Sequence, residues 1–407
     1  MYCFCKGGIV AVPDWIWFVF IFAFGCCIGS FLNVVIYRLP RDKSLVTPPS
    51  ACPACDRHIH FYDNIPLFSW LFLGRKCRYC KVSISPRYFI IELLTGLVFL
   101  GLFILYFQFN LRNGIRLDAG GGWFIYLIHI IMLGAFIAAS AIDLELWIIP
   151  LSICWLVTAA GFVGSAVGVY IIDPALIRTY SLLPSASANT GALAVGATAG
   201  LVISLVLLVS GVLKRSYDSE DSENLQSTLP ENLKEPDDST EESKEPAEQQ
   251  FNHRLEACRE IVFLLPIIIC SVACFWVARE VAPVGDWWED FSQHPAIAGL
   301  LGSVWGYFVG CGMVWGIRIF GTLAFGKEAM GLGDVHLMGA AGSVIGPVYV
   351  VVAFFVAPFF GLAWAGFQMF FKKIQQIPYG PFLSLGIFVV IILHDWIRDY
   401  MSFVFDH

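Results

Sequence analysis

The sequence predicts an all-α polytopic membrane protein with eight to ten transmembrane helices and a small cytoplasmic loop that holds four cysteines. Of the 407 residues 57% are hydrophobic, and the mean hydropathy is +0.71, values far outside the range of soluble globular domains. Apolar runs near the ~20 residues that a membrane helix requires lie at about 15–37, 89–109, 123–142, 148–172, 190–213, 261–282, 296–320, 348–371 and 382–394. A shorter run at 335–346 is interpreted as a half-span.

The loop after the first apolar run is strongly basic. From Arg38 to Arg87 it carries nine Lys or Arg against three acids, and by the positive-inside rule it is predicted to be cytoplasmic. The chain carries a net charge of -7, but residues 214–258 hold thirteen acids against five Lys or Arg, which leaves the remainder at +1. The acidity therefore belongs to one insert, and no nucleic-acid partner is predicted.

Two Cys-x-x-Cys pairs lie in the basic loop, Cys52 with Cys55 and Cys77 with Cys80. Four thiolates in this arrangement suit tetrahedral zinc, and a cytoplasmic location disfavours disulfides. The loop is too small to build an apolar core, so a zinc-ribbon-like structure stabilised by a structural metal is predicted. Free thiols are the alternative. Four cysteine ligands leave no open coordination position, which argues against a catalytic zinc.

Two polar residues lie close to the membrane in the N-terminal region. Asn33, near the end of the first apolar run, either contributes to helix packing or belongs to a binding site. Glu92 lies just inside the second run, where a carboxylate is costly. We therefore expect a basic partner for Glu92, with Arg87 or Arg38 as candidates.

The segment 330–334, Met-Gly-Leu-Gly-Asp, places one acid behind two glycines at the edge of the membrane. A carboxylate in this position is expensive and is functional by default. Gly331 and Gly333 remove side-chain bulk, so that another backbone, such as that of a substrate, could approach Asp334 closely. The alternative is an aspartate that only caps the next helix.

A second acid, Asp143, ends the third apolar run. Counting spans places Asp143 and Asp334 on the same, cytoplasmic side, because the intervening hairpin adds two spans. Asp143 is predicted to continue its helix, whereas Glu145 is predicted to lie in the following turn. Two close carboxyl groups repel, so one keeps a proton while the other acts as a base. Such a pair can hydrolyse a peptide bond with water, without a metal or a covalent nucleophile.

The predicted organisation has five segments. They are a transmembrane helix at 1–37, a cytoplasmic four-cysteine loop at 38–88, helices with the first acid at 89–189, a hairpin at 190–282 with the acidic insert 214–258, and helices with the Gly-x-Gly-Asp motif at 283–407. Residues 216–250 are predicted to be disordered, because their composition cannot bury enough apolar area to fold.

These motifs, in this order, resemble those of the prepilin peptidase (type IV leader peptidase) family, which are membrane aspartyl proteases of the GxGD type. The resemblance covers 29–40, both cysteine pairs with 63–66, Arg87 and Tyr88 with Glu92, Asp143 with Ile149 and Pro150, 328–334, and 378–382. Several separate motifs in family order, spread over most of the chain, make chance a poor explanation.

The resemblance implies that Asp143 and Asp334 are the catalytic acids of an aspartic endopeptidase. It implies a location in the bacterial inner (cytoplasmic) membrane, with the active site facing the cytoplasm. The implied substrates are type IV prepilins or type II secretion pseudopilins, cut after their basic leader. The resemblance also implies N-methylation of the new N terminus with S-adenosylmethionine, although no glycine-rich cofactor loop is visible in the sequence.

The chain departs from the family pattern at two places. Most members have Lys where this chain has His336, and the loss of a local positive charge predicts a shifted pH optimum. The hairpin at 190–282 is predicted to be an addition that regulates access, binds a partner or is inert. Two alternative functions remain open: a GxGD protease that cuts other transmembrane substrates, and a non-enzymatic membrane assembly or transport component.

Overall fold

The computed structural model describes residues 2–3, 10–11, 13–52, 54–115, 120–213, 253–370 and 378–405. Its helices are α1 (Asp14–Arg38), α2 (Phe68–Phe72), α3 (Pro86–Phe107), α4 (Gly122–Leu146), α5 (Leu151–Ile171), α6 (Pro174–Tyr180), α7 (Ala188–Val209), α8 (His253–Glu280), α9 (Ala282–Gln293), α10 (Pro295–Phe325), α11 (Leu332–Ile345), α12 (Pro347–Phe370), α13 (Gly380–Ile392) and α14 (His394–Phe405). Short 3₁₀ helices lie at Leu39–Arg41 and Phe61–Asn64, and a two-residue strand β1 (Tyr2–Cys3) pairs antiparallel with β2 (Val10–Ala11).

Among the described residues, eight helices are long and apolar enough to cross a membrane: α1, α3, α4, α5, α7, α8, α10 and α12. Helices α13 and α14 meet at a bend of 74° and would count as a ninth span if taken together. The predicted all-α polytopic class with eight to ten helices is therefore confirmed. The disorder predicted for 216–250 lies outside the described residues.

Helix α4 is longer than the sequence predicted and includes both Asp143 and Glu145. The prediction that Glu145 lies in the following turn is wrong. The helix ends one turn later because Trp147, with a left-handed φ of 60°, donates its backbone N–H to the carbonyl of Asp143. The two acids still face different directions, since Asp143 is buried whereas Glu145 is exposed.

The helices fall into two compact units. The first unit comprises Met1–Gly191, Glu289–Cys311 and Gly333–His407. At one end of its bundle, Asn33 of α1 donates to the backbone carbonyl of Tyr88 on α3 at 3.0 Å, and Arg87 forms an ion pair with Glu145 of α4. The C-terminal ends of α1 and α4 therefore lie beside the N-terminal end of α3.

The opposite end of this unit is closed by contacts between loops. Arg112, in the loop after α3, donates to the carbonyl of Leu182 at 3.4 Å, and the N–H of Asn113 donates to Asp395 at 2.6 Å. Helix α11 runs between the two ends, because Gly333 lies against Ile149 at its start and Gly346 lies near the ring of Pro184 after its end. Its 14 residues make it shorter than the candidate spans, and the half-span stays a prediction.

The second unit comprises Ala192–Trp288 and Gly312–Leu332. Helices α7 and α8 form its hairpin and are joined by two side-chain hydrogen bonds. Ser204 donates to the carbonyl of Phe263 at 2.7 Å, and Ser271 donates to the carbonyl of Leu193 at 2.9 Å. Hydroxyl groups of this kind satisfy polar backbone atoms between apolar helices.

Candidate active site and metal centre

Asp143 lies in the last turn of α4, where its side chain is only 5% exposed. Its Oδ2 accepts a hydrogen bond from the backbone N–H of Gly380 at 3.1 Å. Gly380 is the first residue of α13. The positive end of this helix dipole is therefore directed at the carboxyl group, an arrangement that stabilises negative charge.

Asp334 lies in the first turn of α11 and is 7% exposed. The charge of Asp334 acts on Tyr379, the residue before α13. Burial raises the pKa of the Tyr379 hydroxyl to about 12, and the negative charge of Asp334 contributes to this rise. Gly333, the residue before Asp334, and Gly380, the donor to Asp143, both lie against Ile149, so both acids lie near the start of α13.

The side chain of Ile149 contacts the backbone on both sides of this site. A Cβ atom added to Gly333 would lie 2.8 Å from the Cβ of Ile149, and one added to Gly380 would lie 3.1 Å from its Cδ1. A side chain at either glycine would require Ile149 to shift. The structure thus brings Asp143, Gly333 and Asp334 together, whereas Gly331 is exposed.

His336 is half-buried and contacts a neighbouring helix. Its Nδ1 lies 3.4 Å from the hydroxyl oxygen of Tyr307 on α10. Two residues along an α-helix correspond to a rotation of about 200°, so His336 projects from a different face of α11 than Asp334. The contact with Tyr307 was not predicted from the sequence.

The sequence interpretation also missed Arg318, which belongs to the second unit. Arg318 is 3% exposed, lies 3.0 Å from Glu260 of α8, and also pairs with Glu328. It donates to the backbone carbonyl of Met330 as well, and so holds the start of the Met-Gly-Leu-Gly-Asp segment. The available signal was an arginine inside an apolar run, which requires a partner.

The basic partner expected for Glu92 is absent from the described residues, so this prediction is wrong. Arg87 is paired with Glu145, and Arg38 donates to two backbone carbonyls of the loop that follows α1. Glu92 instead accepts the backbone N–H of Leu67 at 2.8 Å. Both arginines bind acceptors near the surface and not the buried Glu92, because they reach those acceptors while their charged groups stay close to water.

The four predicted cysteine ligands lie together. All Sγ atoms of the cluster are within 4.8 Å of one another, and those of Cys52 and Cys80 are 3.8 Å apart. A tetrahedral zinc ion with Zn–S bonds of ~2.3 Å separates its sulfur ligands by about 3.8 Å. The cluster therefore fits a metal ion such as zinc, in a closed four-sulfur site.

The two cysteine pairs adopt the same tight loop. Asp56 donates its N–H to the carbonyl of Cys52 at 2.9 Å, and Lys81 donates to that of Cys77 at 3.1 Å. Asp56 and Lys81 both have a left-handed φ, of 50° and 61°. Backbone N–H groups of Cys80 and of the residue before it lower the pKa of the Cys77 thiol to about 6, and N–H groups directed at a sulfur favour the thiolate that metals bind.

The bundle of apolar helices defines a polytopic membrane protein. The two buried carboxyl groups of Asp143 and Asp334 define a candidate aspartic-protease site within it. The model of the family described as "Bacterial Peptidase A24 N-terminal domain" matches residues 23–106, and that of the "Type IV leader peptidase family" matches residues 262–366. Within these two ranges, which together make up less than half of the chain, the sequence is similar to the type IV leader peptidase family. The second match begins within α8, the second helix of the hairpin predicted to be additional. Neither matched range includes Asp143.

The names of curated relatives agree with this similarity. The chain is 46% identical over 135 residues to "Prepilin leader peptidase/N-methyltransferase" of Myxococcus xanthus, covering 33% of this chain and 36% of the relative. It is 32% identical over 160 residues to the protein of that name from Aeromonas hydrophila, covering 33% and 50%. It is 39% identical over 140 residues to "Type 4 prepilin-like proteins leader peptide-processing enzyme" of Escherichia coli, covering 30% and 46%. The chain thus spans half or less of the length of these relatives, and no solved structure matches it.

Proposed function

We propose that this chain is a membrane aspartyl endopeptidase that removes the basic leader from type IV prepilins or type II secretion pseudopilins. The observation that supports the proposal is a pair of buried acids: Asp143 accepts the N–H of Gly380 at 3.1 Å, and Asp334 follows Gly333, which lies against Ile149 as Gly380 does. The names of the matched relatives supply the substrate class.

In the proposed mechanism the two acids divide the proton transfers. Asp143, which accepts the N–H of Gly380, acts as the general base and takes a proton from a water molecule as its oxygen attacks the scissile carbonyl carbon. Asp334 donates its proton to the carbonyl oxygen. When the C–N bond breaks, the proton on Asp143 passes to the leaving amine, and a proton from the diol returns to Asp334. The dyad then holds one proton, as before.

The proposed location is the bacterial inner membrane, with the two acids at the cytoplasmic side. The basic loop between α1 and α3 favours this orientation by its excess of positive charge. The ion pair of Arg87 with Glu145 lies at the end of the bundle that carries Asp143. A prepilin with a cytoplasmic basic leader would therefore present its cleavage site to the acids.

The proposal has two further parts, a structural metal site and a methyltransferase activity. The four-cysteine cluster would hold a structural zinc ion that stabilises the loop, since its closed ligand set leaves no position for a substrate. The names of the relatives include N-methyltransferase, so we also propose methylation of the new N terminus with S-adenosylmethionine. The methyl donor would supply the methyl group, and the protein would position the amine.

The proposal is tested with the full chain in lipid nanodiscs and a purified prepilin from a type IV pilus system. We expect cleavage after the basic leader, and labelled methyl transfer from S-adenosylmethionine to the new N terminus. The same assay is run with a purified type II secretion pseudopilin. Failure to cut either substrate would contradict the peptidase proposal and favour a non-enzymatic role. Cleavage without label would leave the peptidase and remove the methyltransferase.

Replacing Gly380 by alanine should lower the cleavage rate by about tenfold or more. The added Cβ would lie 2.5 Å from Oδ2 of Asp143, so the carboxyl group must move, and small misplacements of catalytic groups are costly. Gly366→Ala is the matched control, because a Cβ at Gly366 meets no atom within 4 Å. Equal cleavage rates of the two variants would argue against the proposed position of Asp143 in the reaction.

Replacing His336 by lysine should move the pH optimum of cleavage toward acid by about 0.5–1 unit. A positive charge two residues from Asp334 favours the ionised carboxylate of the pair, which then forms at lower pH. His336→Gln is the control, since it changes the contact with Tyr307 without adding charge. A pH–rate profile of His336→Lys that coincides with that of the unmodified protein would contradict this role.

A further inference from the structure

A cavity of about 550 Å³ lies between the end of α1, the four-cysteine loop and the start of α3. Its lining includes Ser30, Asn33, Arg38, Asp63, Trp70 and Glu92. Asp143 and Asp334 do not line it. The cavity is therefore a separate site within the first unit, and its volume suits a small ligand or the end of a peptide.

Glu92 supplies a buried carboxylate to this cavity. Its side chain accepts the backbone N–H of Leu67 at 2.8 Å and the hydroxyl of Ser30. Both donors are neutral, and Glu92 forms no ion pair with the described part of the chain. A buried carboxylate without a cation is costly, and this cost is offset when a ligand supplies the positive charge.

The position of Glu92 is supported by a strained turn. Leu67 has φ 63° and ψ -51°, and the N–H of Phe68 donates to the carbonyl of Pro66 at 2.7 Å. This is a three-residue γ-turn of the rare, strained form. Such strain persists where surrounding contacts impose it and is concentrated at functional sites. Here the N–H of Leu67 is directed at Glu92.

Asn33 supplies a second acceptor. Its side chain is 3% exposed, and its Nδ2 donates to the carbonyl of Tyr88 at 3.0 Å. Because that carbonyl is an acceptor, the amide nitrogen must face it, and Oδ1 has no hydrogen-bond partner among the described residues. Asn33 follows Ser30, which contacts Glu92, by about one helical turn. Asn33 therefore lies on the same side of α1 as Ser30, the residue that donates to Glu92.

Five arginines line the cavity, and each has a partner other than Glu92. Arg41 donates to the carbonyl of Tyr37 at 2.8 Å, and the guanidinium of Arg57 lies 5.0 Å from the centre of the Tyr79 ring. Arg38 donates to backbone carbonyls of the adjoining loop at 2.6 and 2.8 Å, and Arg78 donates to Asp63 at 2.7 Å. Arg87 is paired with Glu145 on α4. The acceptors on Glu92 and Asn33 are thus left for a ligand with positive charge and several N–H donors.

We propose that this cavity binds a primary α-ammonium group, with Glu92 as its counter-ion and Oδ1 of Asn33 as a second acceptor. The proposal rests on the proposed function for the origin of the group, which is the new N terminus of the cleaved substrate. S-adenosylmethionine carries an α-ammonium group of the same chemistry. The ion pair of Arg87 with Glu145 joins the cavity wall to the helix turn of Asp143, so cleaved product would reach the cavity without leaving this end of the bundle.

The test compares two probes on the full-length protein in lipid nanodiscs: a short apolar peptide with a free N terminus, and the same peptide acetylated. We expect the free peptide to bind about tenfold more tightly or better, the effect of one charge-assisted contact. Equal dissociation constants for the two peptides would overturn the proposal without any variant. The preference should disappear in Glu92→Gln, which keeps an acceptor for Leu67 and Ser30. Asp399→Asn, an exposed acid that does not line the cavity, should keep it.

A second pair of probes identifies the source of the group. S-adenosylmethionine carries the ammonium, and 5′-methylthioadenosine lacks the amino-acid portion. If Glu92→Gln weakens only the free peptide, the site receives the product N terminus. If it weakens only S-adenosylmethionine, the site receives the methyl donor. Retention of both affinities by Glu92→Gln would overturn the proposal. Asp143→Asn distinguishes this binding proposal from the proposed peptidase function. That variant should lose cleavage and keep the preference for the free peptide.

Discussion

Asp143→Asn and Asp334→Asn should each reduce the rate of prepilin cleavage by about 10²–10⁴-fold, the usual contribution of general acid–base catalysis. An amide has nearly the shape of the carboxyl group but can neither take a proton from water nor donate one to the carbonyl oxygen. The double variant should be no slower than the worse of the two single variants, because the acids act as a unit. Quantified conversion of a co-expressed prepilin to its mature length measures the effect.

Glu145→Gln is the matched control for these variants. Glu145 lies two residues from Asp143, is exposed, and pairs with Arg87. Exposed ion pairs contribute about 0–1 kcal/mol, so cleavage should remain within a few-fold of the unmodified rate. Full cleavage by Asp143→Asn or Asp334→Asn would refute the dyad. A loss in Glu145→Gln as large as theirs would show that substitution in this turn disrupts the helix end itself.

Removal of the metal from the four-cysteine cluster should unfold the loop between α1 and α3. Structural zinc contributes about 10–16 kcal/mol of apparent binding free energy in zinc-finger peptides, and few apolar side chains of this loop are buried. Purified protein should contain about one zinc ion per chain, and Cys77→Ser should lose it. The loop should then become sensitive to protease, whereas the helical circular dichroism of the bundle should persist.

Cys258→Ser is the control for this prediction, because Cys258 is exposed and lies outside the cluster. It should retain both the metal and the resistance of the loop to protease. A protein that is purified without metal under reducing conditions, yet has a protected loop, would contradict a structural zinc site. Equal protease sensitivity of Cys77→Ser and Cys258→Ser would contradict it as well.

The membrane class was readable from the sequence because transmembrane helices must satisfy every backbone hydrogen bond internally and bury apolar side chains in lipid. That requirement acts on about 20 consecutive residues at a time, so the runs at α1, α3 and α4 are visible without tertiary contacts. The cysteine pairs are visible for a similar reason, since metal ligation requires particular atoms at short spacing. The ends of helices were predicted less accurately, as Glu145 demonstrates, because a single left-handed residue, Trp147, sets the boundary of α4.

The site required the tertiary structure at several points. Asp143 and Asp334 were selected by their cost in a membrane, but only the fold supplies Gly380 and Ile149 between them. Their catalytic roles stay a proposal. Arg318 was missed because its partners, Glu260 and Glu328, are distant in sequence or outside any apolar run. The expected partner of Glu92 was wrong because charge alone does not decide which of several acceptors an arginine reaches.

The sequence by itself determined which elements the protein contains: apolar helices, a four-cysteine loop and two acids at helix ends. These follow from interactions within a short stretch of chain. The tertiary structure alone decided what lies between the parts. It placed an N–H of α13 on Asp143, set Ile149 against two glycines, and left Glu92 in a cavity with neutral donors. Such contacts join residues up to 237 positions apart, and their geometry depends on how whole helices pack, which no local pattern encodes.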